Sequence, residues 1–128
     1  MPHHKLIAVL AQPEKALQLS DPEWNAAIRA ARQTDLLGQL GGAVYAAMSP
    51  DDIPRPVKRA IDLELLTAQR RAEAALWEIR VMRRLIPADI PIIVLKGCAY
   101  VLANDKNATG RLFSDIDLLV DAKHLGRV

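Results

Sequence analysis

Only one of the 128 residues is a cysteine, Cys98, which excludes an internal disulfide and suits a reducing cytoplasm. Aromatic side chains make up 4%, so any core has to be assembled from Leu, Ile, Val and Ala. No long apolar run is present to span a bilayer. Lys5 to Ala11 is apolar but stops at Pro13, far short of the roughly 20 residues required. Charge of one sign is lacking too: 17 basic residues stand against 15 acidic ones, a net +2 that gives no argument for nucleic acid. Internal repeats, low-complexity tracts and anything resembling a signal peptide are absent. His3 and His4 are too few for a purification tag and read as an ordinary frayed terminus rather than a metal site.

What is present is the composition of a soluble globular protein, 51% hydrophobic and 25% charged, at a length of one domain or slightly more. Ser20-Asp21-Pro22-Glu23 predicts a helix start. Ser20 can cap, Glu23 follows three residues later as in a capping box, and Pro22 is tolerated in a first turn. That helix runs through Trp24, Ala27, Ile28 and Ala31 to about Arg32. A second covers Leu36 to Met48, with Gly41-Gly42 marking a break or a close helix contact, and residues 49–54 form a loop.

From about Pro56 to Ile86 neither proline nor glycine intervenes. Apolar residues recur at Ile61, Leu65, Ala68, Ala72, Ala75, Ile79, Met82 and Ile86, alternately four and three apart. This is one seam of a helix of about 30 residues, or about 45 Å. The seam is expected to pack on the two earlier helices; the alternative is a homodimer through the long helix. Arg70, Arg71, Arg80, Arg83 and Arg84 crowd the rest of the cylinder as a solvated basic face.

The period then changes. Pro91 precedes Ile92-Ile93-Val94-Leu95, a β-branched run that predicts a short buried strand. Lys96-Gly97 ends it, Cys98 to Ala103 predicts a short helix, and residues 104–110 form a polar loop. Leu112 to Val120 predicts a second strand with Asp115 and Asp117 in its middle. Asp121 is placed to cap a further helix starting at Ala122.

Two carboxylates inside an otherwise apolar strand require a reason. Residues two apart in a strand share a face, so Asp115 and Asp117 are expected to project together. Side by side and half-buried they repel, and desolvation adds to the cost. A divalent cation, Mg²⁺ or Mn²⁺, removes both penalties. Mg²⁺ takes hard oxygen ligands, commonly one or two carboxylates plus substrate phosphates. The strand-to-helix turn at Lys96-Gly97 supplies the complementary element. Backbone N–H groups at a helix start favour a phosphate, Gly97 leaves room for close approach, and Lys96 adds a positive charge. The pattern of a Walker A loop is absent.

Leu95-Lys96-Gly97, Gly110-Arg111 and Ser114-Asp115-Ile116-Asp117-Leu118-Leu119-Val120 together resemble an uncharacterised bacterial nucleotidyltransferase family of the polymerase-β-like superfamily. The similarity covers about residues 20 to 128, including a helical region with a Trp near its start and a long helix leading into the first strand. Only 95–120 carries specific motifs. The resemblance implies that Asp115 and Asp117 are the metal-binding and catalytic D-x-D pair. It implies that Gly97 is the glycine of the superfamily's turn, with Cys98 where Ser or Gly is usual. Lys96, Gly97, Cys98, Arg111 and Ser114 would lie on the nucleotide's phosphates. The superfamily's third carboxylate comes from a later strand, and no Asp or Glu follows Asp121, so the sequence is expected to be a fragment of a longer protein.

The fold expected is α+β: a helical N-terminal region over 1–88, then the opening of a nucleotidyltransferase-type mixed sheet over 89–128. The activity expected is metal-dependent transfer of a nucleoside monophosphate from a nucleoside triphosphate such as ATP to a hydroxyl acceptor, in the cytoplasm and away from membranes. Two other readings stand beside it. One is a non-catalytic nucleotide-sensing or helix-mediated interaction protein with a relic site; the other is phosphate-ester hydrolysis by the same metals.

Overall fold

The structure is a computed structural model that describes residues 2–128. Its helices are α1 (Pro2–Ala11), α2 (Asp21–Gln33), α3 (Leu37–Ala47), α4 (Arg55–Leu85) and α5 (Lys96–Leu102). Two short strands, β1 (Ile93–Leu95) and β2 (Asp117–Leu119), pair into an antiparallel sheet, and short 3-10 turns fill several connections. The fold is α+β, mostly helical, with its helices concentrated at the N-terminal side. Among the described residues no helix is long and apolar enough to cross a membrane.

The chain forms two compact units. One comprises the residues up to Ala68 together with Thr109–Arg111, the other Gln69–Ala108 with Leu112–Val128. The division read from the sequence, at residue 88, marks where the hydrophobic period changes; packing instead divides the chain inside α4.

The first unit is an aliphatic helical cluster, as so few aromatics require. Leu6 and Val9 of α1, Trp24 and Ile28 of α2, and Leu37, Leu40 and Val44 of α3 are all buried in it. Helix α1 was not foreseen from the sequence, because Pro13 and the brevity of the apolar run concealed it. Helix α2 begins as expected: the Ser20 backbone N–H and Oγ each donate to the Glu23 carboxylate at 3.0 Å. Lys5 Nζ adds an ion pair at 2.6 Å. That ammonium, and then the Ser20 donors, hold the Glu23 carboxyl down at about 2.

Gly41-Gly42 does not break α3. A Cβ on Gly41 would come within 2.5 Å of Ile61 Cγ2, so a glycine is what lets α4 approach. Gly38 packs backbone to backbone on Gly110, whose φ of 67° is in the left-handed region. Tyr45 donates its hydroxyl to the Asp62 carboxylate at 2.5 Å, joining α3 to α4.

The α4 seam divides with the units. Val57 and Ile61 are buried in the first core and Leu65 packs against it, so packing on the earlier helices holds for these turns only. From Gln69 onward the seam serves the second unit. There Ile79 and Met82, with Ile92 and Val94 from the β1 side and Leu118 of β2, line a small apolar cavity of ≈ 170 Å³. Arg83 leaves the predicted solvated face. Its guanidinium donates to the carbonyls of Ile90, Ile86 and Pro87 at 2.9, 3.2 and 2.7 Å, fastening the end of α4 to the approach to β1.

Both strands are shorter than the sequence predicts. A ladder reaches only as far as its partner, and β1 ends where the chain turns at Lys96. β2 is therefore confined to the three residues opposite it, in the register Ile93↔Leu119, Val94↔Leu118 and Leu95↔Asp117. Asp121 caps as expected, accepting from Lys123 N–H at 3.1 Å, but the helix it opens is a 3-10 turn, Ala122–Arg127.

Candidate active site at the turn from β1 to α5

Extended backbone at Leu95 passes into α5 through Lys96, whose φ of 57° is left-handed. A non-glycine residue there is held against its own steric preference. Gly97 needs its missing side chain for another reason. An added Cβ would lie 3.1 Å from Cβ, Cγ and Cδ1 of Phe113, so the glycine seats that ring against the start of α5. The sequence places the special backbone at the glycine; the structure places it one residue earlier.

Two interactions bring the aspartates to this turn. Leu95 is cross-strand partner to Asp117, and the next residue, Lys96, reaches Asp117 Oδ2 with its Nζ at 3.2 Å. The pair is open to solvent, with side chains 74% and 38% exposed. Asp115 lies outside β2, two residues before it, so the alternation of a strand does not by itself put both carboxylates on one face. Its backbone is fixed instead by Cys98, whose thiol donates to the Asp115 carbonyl at 3.7 Å. Cys98 is buried, with 1% of its surface exposed, and its thiol titrates above its ordinary value. Burial is the main cause, followed by the negative charges of Asp117 and of Glu78 on α4.

Ser114 adjoins Asp115 and is exposed. It lines a cleft of ≈ 310 Å³ whose other side is α4. Arg71 and Glu78 stand there two helical turns apart with Ala74 and Ala75 between them, facing Phe113, Ser114 and Ile116. Sequence reasoning did not select Arg71 or Glu78 for the site. Their spacing along one helix face was legible, but nothing in the sequence reveals what that face opposes. Arg111 belongs to the segment that packs with the first unit.

Chemically, the turn offers an ammonium group and two exposed carboxyl-bearing residues. Asp115 and Asp117 are hard oxygen donors, and the Lys96 ammonium at Asp117 shows that this carboxylate already attracts a cation. Among the described residues no three of His, Cys, Asp and Glu gather as a metal-holding group. A pair of carboxylates is nevertheless a donor set that suits Mg²⁺, which completes its shell with water and substrate phosphates.

Comparison with known proteins gives the family. The profile of a family described as uncharacterised nucleotidyltransferase matches residues 20–128, which include the turn, both aspartates and all of α2 to α5. Searches of curated proteins and of solved structures found no match. A match over most of the chain shows that it belongs to the uncharacterised nucleotidyltransferase family.

Proposed function

We propose that this protein provides the triphosphate- and metal-binding part of a transferase that moves a nucleoside monophosphate from a nucleoside triphosphate to a hydroxyl acceptor. The observation that carries the reading is the Lys96–Asp117 contact across the β1–α5 turn, with Asp115 tied to the same turn through Cys98. Asp115 and Asp117 would hold Mg²⁺ or Mn²⁺. Bound there, the ion would neutralise charge on the triphosphate and on the departing pyrophosphate.

The remaining work falls to side chains and backbone. Lys96 exchanges Asp117 for a phosphate oxygen, adding a cation without having to move far. The exposed hydroxyl of Ser114 donates to a second phosphate oxygen. The left-handed backbone at Lys96 fixes the direction in which α5 starts, so the donors are oriented before the ligand arrives. Catalysis of this kind rests on positioning and charge neutralisation.

Binding of ATP, CTP, GTP and UTP is measured by calorimetry with and without Mg²⁺, for wild type and for Asp115→Asn/Asp117→Asn. The expected result is Mg²⁺-dependent affinity that falls at least about tenfold in the double variant, since one charge-assisted contact is worth about 1.5–3 kcal/mol. Equal affinities in the two proteins would remove the assignment. Pyrophosphate release with a labelled adduct on the acceptor marks transfer; free nucleoside monophosphate without an adduct marks hydrolysis.

A further inference from the structure

The cleft beside Ser114 is more specific than an exposed groove. Arg71 and Glu78 line it two helical turns apart on α4 with Ala74 and Ala75 between them, and Phe113, Ser114 and Ile116 complete the lining. Among the described residues neither Arg71 nor Glu78 is engaged in an ion pair, and the residues three and four positions from each along α4 are uncharged. Its volume of ≈ 310 Å³ matches small-molecule sites, which start at about 300 Å³. Seven residues of α-helix rise about 10 Å, a span that a monosaccharide carrying an anionic group bridges once the two side chains lean inward.

The position of Glu78 adds a second constraint. Ser114 and Ile116, the residues on either side of Asp115, line the same cleft, so it adjoins the aspartates, and the Glu78 charge acts on the Cys98 thiol as that of Asp117 does. Glu78 nevertheless does not join the aspartates in a three-residue metal-holding group. A carboxylate so placed can accept a hydrogen bond from whatever occupies the cleft.

We infer that this cleft is the acceptor subsite, that it takes a small hydroxylated anion of the sugar-phosphate or sugar-acid class, and that Glu78 receives the hydroxyl proton. The inference rests on the transferase reading above. Arg71 pairs with the phosphate or carboxylate of the acceptor, leaving a hydroxyl at the Glu78 end. In the transfer step the hydroxyl oxygen forms a bond to the α-phosphorus as its proton passes to the Glu78 carboxylate. The bond from the α-phosphorus to the bridging oxygen breaks, and pyrophosphate leaves with that electron pair.

Two measurements test it. In protein labelled at alanine methyls, ribose 5-phosphate and glucuronate are expected to shift Ala74 and Ala75, whereas ribose and glucose are not. Arg71→Ala should weaken the binding of both anions about tenfold, and Arg71→Lys should restore part of it. Pyrophosphate release with the sugar that binds should show kcat down about a hundredfold in Glu78→Gln with acceptor KM little changed. In Arg71→Ala the acceptor KM should rise while kcat holds. Both residues are exposed, so both variants should keep the wild-type melting curve and Mg²⁺-dependent triphosphate affinity.

The inference is overturned if neutral sugars move the two methyls as strongly as the anions, or if no sugar does. It is also overturned if Arg71→Ala binds like wild type, or if a bound sugar is not turned over or is turned over equally by Glu78→Gln. Failure in these arms with triphosphate binding still dependent on the aspartates sinks the subsite alone. Triphosphate binding indifferent to Asp115 and Asp117 sinks the transferase reading itself.

Discussion

Lys96 allows the demands of folding and of ligand binding to be separated by two substitutions. Its φ of 57° costs a side chain roughly 1–2 kcal/mol relative to right-handed backbone. Glycine escapes that cost but brings more unfolded-state freedom, worth about 0.4–1 kcal/mol. Both Lys96→Gly and Lys96→Ala lose the contact with Asp117. That loss is small, about 0.2–1 kcal/mol, because the pair is solvent-exposed. Lys96→Gly should therefore be about 1 kcal/mol more stable than Lys96→Ala and within about 0.5 kcal/mol of wild type. Urea denaturation followed by circular dichroism resolves such a difference, as does a melting shift of about 4 °C. Both variants should lose triphosphate affinity about tenfold, since both lack the ammonium. If alanine proves as stable as glycine, the left-handed turn is not strained and its role in orienting the site falls with it.

Gly38→Ala should destabilise the first unit by about 3 kcal/mol or more, because the added methyl meets the Gly110 backbone, which cannot turn aside as a side chain would. A urea midpoint equal to wild type would contradict that packing. Glu23 titrates at about 2 when folded against 4.5 ordinarily, so its contribution is complete above pH 4.5 and is lost as pH falls toward 2. Glu23→Gln should flatten the stability profile across that window and leave it parallel to wild type above it. Cys98, buried and with its pKa raised, should react with iodoacetamide at pH 8 at least about tenfold more slowly in native protein than in urea. Comparable rates would mean that the thiol is not held against the Asp115 carbonyl.

Features governed by local chemistry were legible in the sequence. The start of α2 follows from Ser20 and Glu23, and the 31 residues of α4 follow from a seam uninterrupted by proline or glycine. The capping role of Asp121 needed only its neighbours. Features governed by what lies opposite were not legible. β2 stops at three residues because β1 does, and Gly97 is small because Phe113, sixteen positions later, rests on it. Arg83 looked like one basic residue among five until the carbonyls at the end of α4 gave it a destination. The same holds for Glu78: its position on an exposed face of α4 does not reveal that Phe113, Ser114 and Ile116 lie opposite.

The aspartates reach the turn by a route that strand alternation does not describe. Period-two geometry predicts that Asp115 and Asp117 share a face, yet only Asp117 lies in the strand. Their neighbourhood arises from two unlike contacts, a thiol holding one backbone and an ammonium facing the other side chain. The difference has a consequence for the proposed chemistry. A side-chain pair 74% and 38% exposed opens for less than about 1 kcal/mol, so an incoming triphosphate can take Lys96 from Asp117 at little cost. The Cys98 contact, by contrast, starts from a buried thiol and does not involve the Lys96 side chain. On the proposed reading Lys96 can therefore leave Asp117 for a phosphate oxygen while Cys98 still holds the Asp115 main chain beside the turn.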